Sequence, residues 1–126
     1  MKSFKLIKEG YFSQIKTYKN TLIAYDDDKQ YVVQLSLEGK VMKEFPSLQE
    51  SVFEVYEDHM YSYNLEEQSF YQTSIKNGVK KFLINTKNTV VQEYTIHNGW
   101  LYYVHERYFD DYLENSVEHL SKIKLS

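Results

Sequence analysis

The chain has 126 residues, 42% of them apolar and 26% charged, with a net charge of −3 at pH 7 and no cysteine. This composition fits one globular domain spanning residues 1–126, and it excludes disulfides, thiol catalysis and cysteine-ligated zinc. The mildly acidic charge gives no electrostatic basis for nucleic-acid binding, and no apolar run approaches the ~20 residues of a membrane span. We therefore expect a protein of the cytoplasm.

Alternation of apolar and polar residues, interrupted by turn signals, predicts an all-β chain that folds as an antiparallel meander. A short strand at residues 4–7 is expected to precede a first unit of four strands. The strands of the first unit are predicted at residues 11–18, 21–26, 30–37 and 40–45. After Pro46 a Ser-x-x-Glu pattern is compatible with a short helix, although a turn between units is the simpler interpretation.

Two further units follow along the chain. The pairs Asn77-Gly78 and Asn98-Gly99 predict two-residue hairpins of type I′, because both central positions of that turn need positive φ. The strands of these units are predicted at residues 51–56, 59–64, 69–75 and 78–84, and then at 90–97, 100–106 and 117–125.

Residues 112–120 leave helix and strand open, because Leu113, Val117 and Leu120 have helical spacing. In the strand reading, the third unit lacks a fourth strand, whereas residues 4–7 are an additional strand at the other end of the chain. The total is then 11 to 12 short strands. A circular array with interlocked ends would use residues 4–7 to complete the last unit and would remove exposed sheet edges.

The three units are related by a repeat. Each contains a polar turn followed by an aromatic strand, beginning at Tyr18, Tyr56 and His97, so that the period is about 40 residues. A fixed period in this range is typical of propeller blades and other repeat arrays. The repeat units are predicted at about 11–45, 51–84 and 90–125.

The run Asn98-Gly99-Trp100-Leu101-Tyr102-Tyr103, followed by residues 121–125, resembles the blades of bacterial receptor-type β-propellers. Leu22-Ile23-Ala24-Tyr25 fits the same pattern. The resemblance implies a binding scaffold without shared catalytic residues. Single-chain propellers have 4 to 8 blades, whereas this chain offers three. Two alternatives remain: a homodimer forming a six-unit ring, or one chain forming a curled sheet or small barrel.

The hairpin between the second and third strand of each unit has an acidic tip. In an up-and-down array the three tips lie at one end of the strands, where their charges would attract a basic protein surface or a cation. Polar hairpin tips are also common for reasons unrelated to function. The spacing lacks the ligand pattern of a calcium loop, so no metal or cofactor is expected. The acidic candidates are Asp26, Asp27, Asp28, Glu66, Glu67, Asp110 and Asp111.

Tyrosine and other aromatic residues are the second set of candidate binding residues, since aromatic side chains are enriched at binding hot spots. Tyr108, Phe109 and Tyr112 flank two carboxylates in the long connection of the third unit. They form either a binding loop or a staple that holds this loop to the sheet. Trp100 and Tyr102 are candidates for lining a small-ligand pocket.

No nucleophile elbow, phosphate-cradling glycine loop or His-Glu-x-x-His pattern is present, so the sequence does not predict an enzyme. The expected function is a non-catalytic interaction protein that presents an acidic, Tyr-rich surface to a basic protein partner. An immunity or inhibitor protein is of this kind. The alternative is a sensor that binds a small ligand or a sugar.

Overall fold

The computed structural model describes residues 2–87, 89–108 and 116–125, and in these ranges the chain forms eleven strands and no helix. Every hydrogen-bonded pair of strands is antiparallel, so the predicted all-β antiparallel chain is confirmed. No described segment is a helix long and apolar enough to cross a bilayer. The strands are β1 (Phe12–Tyr18), β2 (Thr21–Asp26), β3 (Tyr31–Ser36), β4 (Val41–Phe45), β5 (Phe53–Tyr56), β6 (His59–Asn64), β7 (Ser69–Ser74), β8 (Lys80–Asn85), β9 (Thr89–His97), β10 (Trp100–Tyr108) and β11 (Ser116–Lys124).

The strands form three sheets, and within each sheet the spatial order follows the chain. The first sheet has the order β1-β2-β3-β4, the second β5-β6-β7-β8 and the third β9-β10-β11. Each strand predicted from residue 11 onward lies within two residues of an observed one. Alternation and turn signals therefore located the strands of the three sheets.

Some local predictions were wrong. Residues 2–9 form no strand in the single chain, so the predicted strand at 4–7 does not complete the third sheet of its own chain. Residues 47–52 contain a turn and no helix, and residues 116–120 belong to β11, which excludes a helix there. The remainder of the ambiguous stretch lies outside the described residues.

The two Asn-Gly pairs behave differently. Asn98 and Gly99 both have positive φ, at 49° and 80°, as the type I′ turn requires. At the other pair only Gly78 has positive φ, and β7 and β8 are joined by a five-residue connection. In that connection the side chain of Asn77 accepts a hydrogen bond from the amide of Val79 at 2.9 Å. The predicted two-residue hairpin at this position was wrong.

The second sheet is covered on both faces, by the first sheet on one side and by the third on the other. Successive residues of its strands point to opposite faces and so enter different cores. In β6, Met60 enters a core shared with the first sheet, and Tyr61 enters a core shared with the third. The first core contains Ile23, Tyr25, Val32, Phe45, Leu48, Phe53, Met60 and Ile75. The second is built on Tyr61, Phe70, Val91 and Leu101.

Contacts between first strands set the arrangement of the three sheets. β1 contacts β5, and β5 contacts β9. Lys16 of β1 pairs with Glu54 of β5 at 3.6 Å, and the Tyr18 hydroxyl donates to Asp58 at 2.5 Å. An ideal side-chain carbon at Gly99 would lie 3.7 Å from the Tyr56 hydroxyl.

These contacts align the β1–β2, β5–β6 and β9–β10 turns at one end of the stack. The β2–β3 and β6–β7 connections, one strand length away, consequently share the other end, which we call the tip end.

A candidate binding cleft at the tip end

A cleft of about 540 Å³ opens at the tip end between the second and third sheets. Its walls combine the connection that leads into β5, the end of β6 with the turn that follows it, and the first half of β9. The residues that line it are Glu50, Ser51, Val52, Tyr63, Asn64, Leu65, Glu66, Val91, Gln92 and Tyr94. Acidic, aromatic and aliphatic groups thus converge from parts of the chain that are distant in sequence.

The connection before β5 is held in place by a buried anchor. Leu48 is fully buried in the core between the first and second sheets. Its amide donates to the carbonyl of Phe45 at 3.0 Å, and its carbonyl accepts from the amide of Val32 at 3.1 Å. Because this turn is fixed on both sides, the next residues reach the cleft in a defined position.

Tyr94 joins this connection to the third sheet. Its hydroxyl donates to the carbonyl of Val52 at 2.9 Å. Burial raises the pKa of Tyr94 well above its ordinary value, and the nearby carboxylates of Glu54 and Glu50 raise it further. The phenol therefore keeps its proton at pH values at which an ordinary tyrosine begins to ionise, and it remains a hydrogen-bond donor there.

The aromatic floor of the cleft is held by ring packing and a hydrogen bond. The Tyr63 ring lies 4.8 Å from the Phe70 ring, and its hydroxyl shares a hydrogen bond of 2.9 Å with the Thr86 hydroxyl. Phe70 in turn contacts Tyr94 edge to face at 5.3 Å. A preorganised aromatic floor reduces the entropy lost on binding.

The two carboxylates of the cleft differ in their partners. Glu50 lies 3.5 Å from the ammonium of Lys80, which partly neutralises it. Glu66 is exposed, and none of the described residues forms a hydrogen bond or an ion pair with its side chain. The uncompensated negative charge of the cleft is therefore that of Glu66.

An irregularity in β9 shapes the opposite wall. In the pairing with β10, Val104 faces Glu93 and His105 faces Val91, so Gln92 is the extra residue of a β-bulge. A bulge re-aims side chains locally, and Gln92 lines the cleft. Its amide group adds a donor and an acceptor opposite the carboxylates.

Apolar groups are exposed around the same end. Leu65 and Val52, which line the cleft, are 64% and 53% exposed. Tyr11 is also exposed, and its carbonyl accepts from the amide of Asp27 in the β2–β3 turn. Apolar side chains are thus exposed beside the carboxylates of the tip end.

The predicted acidic residues have diverse roles. Asp26 is buried, and its carboxylate caps its own turn by accepting the amides of Asp28 and Lys29 at 3.0 and 3.1 Å. Asp27 accepts from the Ser13 hydroxyl at 3.1 Å, and Asp28 is exposed. These residues lie at the tip end but do not line the cleft.

In the second tip, Glu66 lines the cleft. Glu67 instead accepts a hydrogen bond from the Tyr71 hydroxyl, which raises the pKa of that tyrosine. Among the predicted acidic residues that the structure describes, Glu66 alone contributes to the cleft.

Of the long connection in the third unit, Phe109, Asp110, Asp111 and Tyr112 lie outside the described residues, and Tyr108 ends β10. Trp100 and Tyr102, predicted for a ligand pocket, alternate with Leu101 and Tyr103 of the second core. They therefore lie on the outer face of the third sheet, away from the cleft. The ammonium of Lys122 sits 4.3 Å above the Trp100 ring.

Sequence reasoning missed Glu50, Val52, Gln92 and Tyr94 as site residues. The aromatic content signalled a tyrosine surface in general terms, but no local pattern joins residues that lie about 40 positions apart.

No protein-family model matches this chain, and no curated protein matches its sequence. A crystal structure from Clostridium novyi NT, described as a "putative conserved lipoprotein", is similar in fold. It has 14% sequence identity and a TM-score of 0.67, and the match covers 94% of this chain and 90% of that chain. At this identity the similarity concerns the fold alone.

Proposed function

We propose that this chain is a non-catalytic binding module whose acidic, tyrosine-rich tip end receives a basic segment of a partner protein. An inhibitor or immunity protein that masks a basic partner acts in this way. The observation that carries the proposal is the position of Glu66, an uncompensated carboxylate at the edge of a cleft with a fixed aromatic floor.

The chemistry of the cleft suits an arginine or lysine side chain. Its aliphatic stem would lie over Leu65 and Val52, while its charged head would reach Glu66. Long basic side chains bury their methylene groups against apolar surface and keep the charge near solvent or a carboxylate. The neighbouring charges of Asp27 and Asp28 at the same end would accelerate encounter with a basic surface.

We also propose that the three sheets are blades of a propeller-type array. Three features support this: each sheet meanders outward in chain order, the first strands contact one another, and consecutive sheets stack through apolar faces. In such arrays the connections at one end commonly form the binding surface.

A small polar ligand or a sugar is the second candidate. The cleft volume of about 540 Å³ lies within the usual range for small-molecule sites. Asn64 and Gln92 supply amide groups suited to hydroxyls, and Tyr63 supplies a ring on which a sugar could stack.

Titration of the ¹⁵N-labelled chain with short peptides tests the first proposal. The probe is acetyl-Leu-Arg-Leu-amide, and the matched uncharged probe replaces arginine by citrulline. We expect amide shifts at the cleft residues and at least about threefold weaker binding of the citrulline peptide. Glu66→Gln should weaken binding of the arginine peptide about two- to fivefold, as is typical for one exposed ion pair. Raising the salt concentration should weaken it further.

Glu57→Gln is the matched control, because Glu57 is an exposed glutamate in the β5–β6 turn at the opposite end. It changes the net charge equally and should leave peptide affinity unchanged. Shifts located away from the cleft, or equal affinity for the two peptides, would contradict the proposal. Maltose, a neutral probe, addresses the second candidate: cleft shifts that persist in Glu66→Gln would favour the sugar-binding function.

A further inference from the structure

The outer edge of β11 is open. The first and second sheets have four strands each, whereas the third sheet has three, and no described strand pairs with β11 on the side away from β10. An edge strand presents a row of backbone amide and carbonyl groups that can accept another strand.

Residues 4–7 have the pattern of a strand without a sheet. Phe4 and Leu6 alternate with Lys5, and they are 97% and 67% exposed. This segment forms no strand in the single chain. Four residues with two large apolar side chains on one face would gain both ladder hydrogen bonds and burial by joining a sheet.

The end of this segment, at Ile7 and Lys8, has a fixed position. Ile7 and Lys8 lie against the outer face of the first sheet, where they border a groove with Leu22 and Leu35. A Cβ atom at position 39 would overlap the carbonyl oxygen of Ile7, so only glycine allows this approach. Ile7, the last residue of the segment, is thus held over the outer face of the first sheet, with the second sheet between it and β11.

The direction of the chain near Ile7 also suits pairing with β11. Ile7 lies beside the β3–β4 turn at the end opposite the tips, and the carbonyl of Tyr11 bonds to Asp27 at the tip end. The chain from Ile7 to Tyr11 therefore runs toward the tip end, whereas β11 runs away from it. When residues 4–7 continue this direction and the tip ends of the two copies lie on the same side, the added strand pairs with β11 in the antiparallel manner of the other strands.

We infer that residues 4–7 of a second copy of this chain add to the free edge of β11, so that two copies exchange these segments in a two-fold closed dimer. The donor cannot be the same chain, because Ile7 is held on the far side of the stack and the three residues before it are too few to reach β11. Each copy donates one strand and accepts one, so the free β11 edges of both copies are paired, as two-fold symmetry requires. The outer face of the third sheet, with Trp100 and Tyr102, would then stack on the outer face of the partner's first sheet.

Size-exclusion chromatography with light scattering on the full chain tests this inference at about 100 µM protein. We expect a mass of about twice 15.2 kDa for the wild type. The double variant with Phe4→Glu and Leu6→Glu should elute as a monomer, because its dimer dissociation constant should rise at least about 100-fold. Both side chains are exposed in the single chain, so the fold should persist, which circular dichroism verifies.

Val79→Glu is the control, since Val79 is 61% exposed in the β7–β8 connection. It should remain dimeric. Hydrogen exchange supplies a second measurement: β11 amides that do not face β10 should exchange more slowly in the wild type than in the double variant. A wild-type monomer at this concentration, a dimer retained by the double variant, or unchanged β11 exchange would each overturn the inference.

Discussion

Removal of the Phe70 side chain tests the stacking of the second sheet on the third. Phe70 is fully buried, and its ring lies 5.3 Å from both Tyr94 and Tyr103, which belong to the third sheet. Phe70→Ala should therefore lower the free energy of unfolding by about 3–5 kcal/mol through lost burial and a cavity. The lost aromatic pairs put the value toward the upper end, since each contributes about 0.5–1.5 kcal/mol. Such a loss is a large part of the roughly 5–15 kcal/mol that stabilises a typical domain.

Urea denaturation followed by intrinsic fluorescence measures this change. Phe70→Leu keeps most of the side chain and should cost roughly 1–2 kcal/mol, so it remains informative if the alanine variant does not fold. Phe82→Ala is the matched control, because Phe82 is 54% exposed on β8 and contacts Tyr71 at its edge. It should cost less than about 1 kcal/mol. Equal losses for Phe70→Ala and Phe82→Ala would refute the packing described here.

Two further predictions concern pH. The hydrogen bond from Tyr18, followed by that from Lys76, holds the pKa of Asp58 below its ordinary value of 3.8. The ionised Asp58 carboxylate therefore stabilises the fold above pH 3.8, and this stabilisation is lost as the pH falls through the lower pKa of the folded state. Asp58→Asn should consequently reduce the fall in unfolding free energy at acid pH, measured by urea titrations. An unchanged fall would refute this. Because the pKa of Tyr94 is raised, wild-type stability should fall as the pH rises above the ordinary tyrosine value of 10.0, and Tyr94→Phe should reduce this alkaline loss. The same variant loses the hydrogen bond to Val52 and should be about 1 kcal/mol less stable at neutral pH, and a gain in stability there would contradict the role of this bond.

The strands were predictable because each is encoded by local alternation and bounded by its own turn residues. Asn98-Gly99 shows this, since nothing outside the hairpin is needed to set its two positive φ angles. The Asn77-Gly78 connection was mispredicted because a distant contact supports it. The ammonium of Lys43, on the first sheet, donates to the carbonyl of Ile75 at 3.0 Å, which helps to hold a longer loop.

The cleft was less predictable than the strands. Acidic tips were visible in the sequence, yet the carboxylate of Asp26 is used to cap its turn, which a list of charges does not reveal. Glu50 and Tyr94 reach the cleft through the stacking of sheets that are far apart in the chain. Local patterns specify strands, whereas a site made between sheets depends on how the faces pack.

The two proposed surfaces lie on different parts of the molecule, and this separation makes them independently testable. The cleft opens at the tip end between the second and third sheets. The free edge of β11 and residues 4–7 belong to the outer sides of the stack. Addition of a strand at β11 would extend the third sheet sideways and leave the walls of the cleft, which come from β6, β9 and the connection before β5, in place. Glu66→Gln should therefore leave the mass in solution unchanged, and the Phe4→Glu, Leu6→Glu variant should keep its affinity for the arginine peptide. Simultaneous loss of both properties in either variant would mean that binding and assembly share one surface.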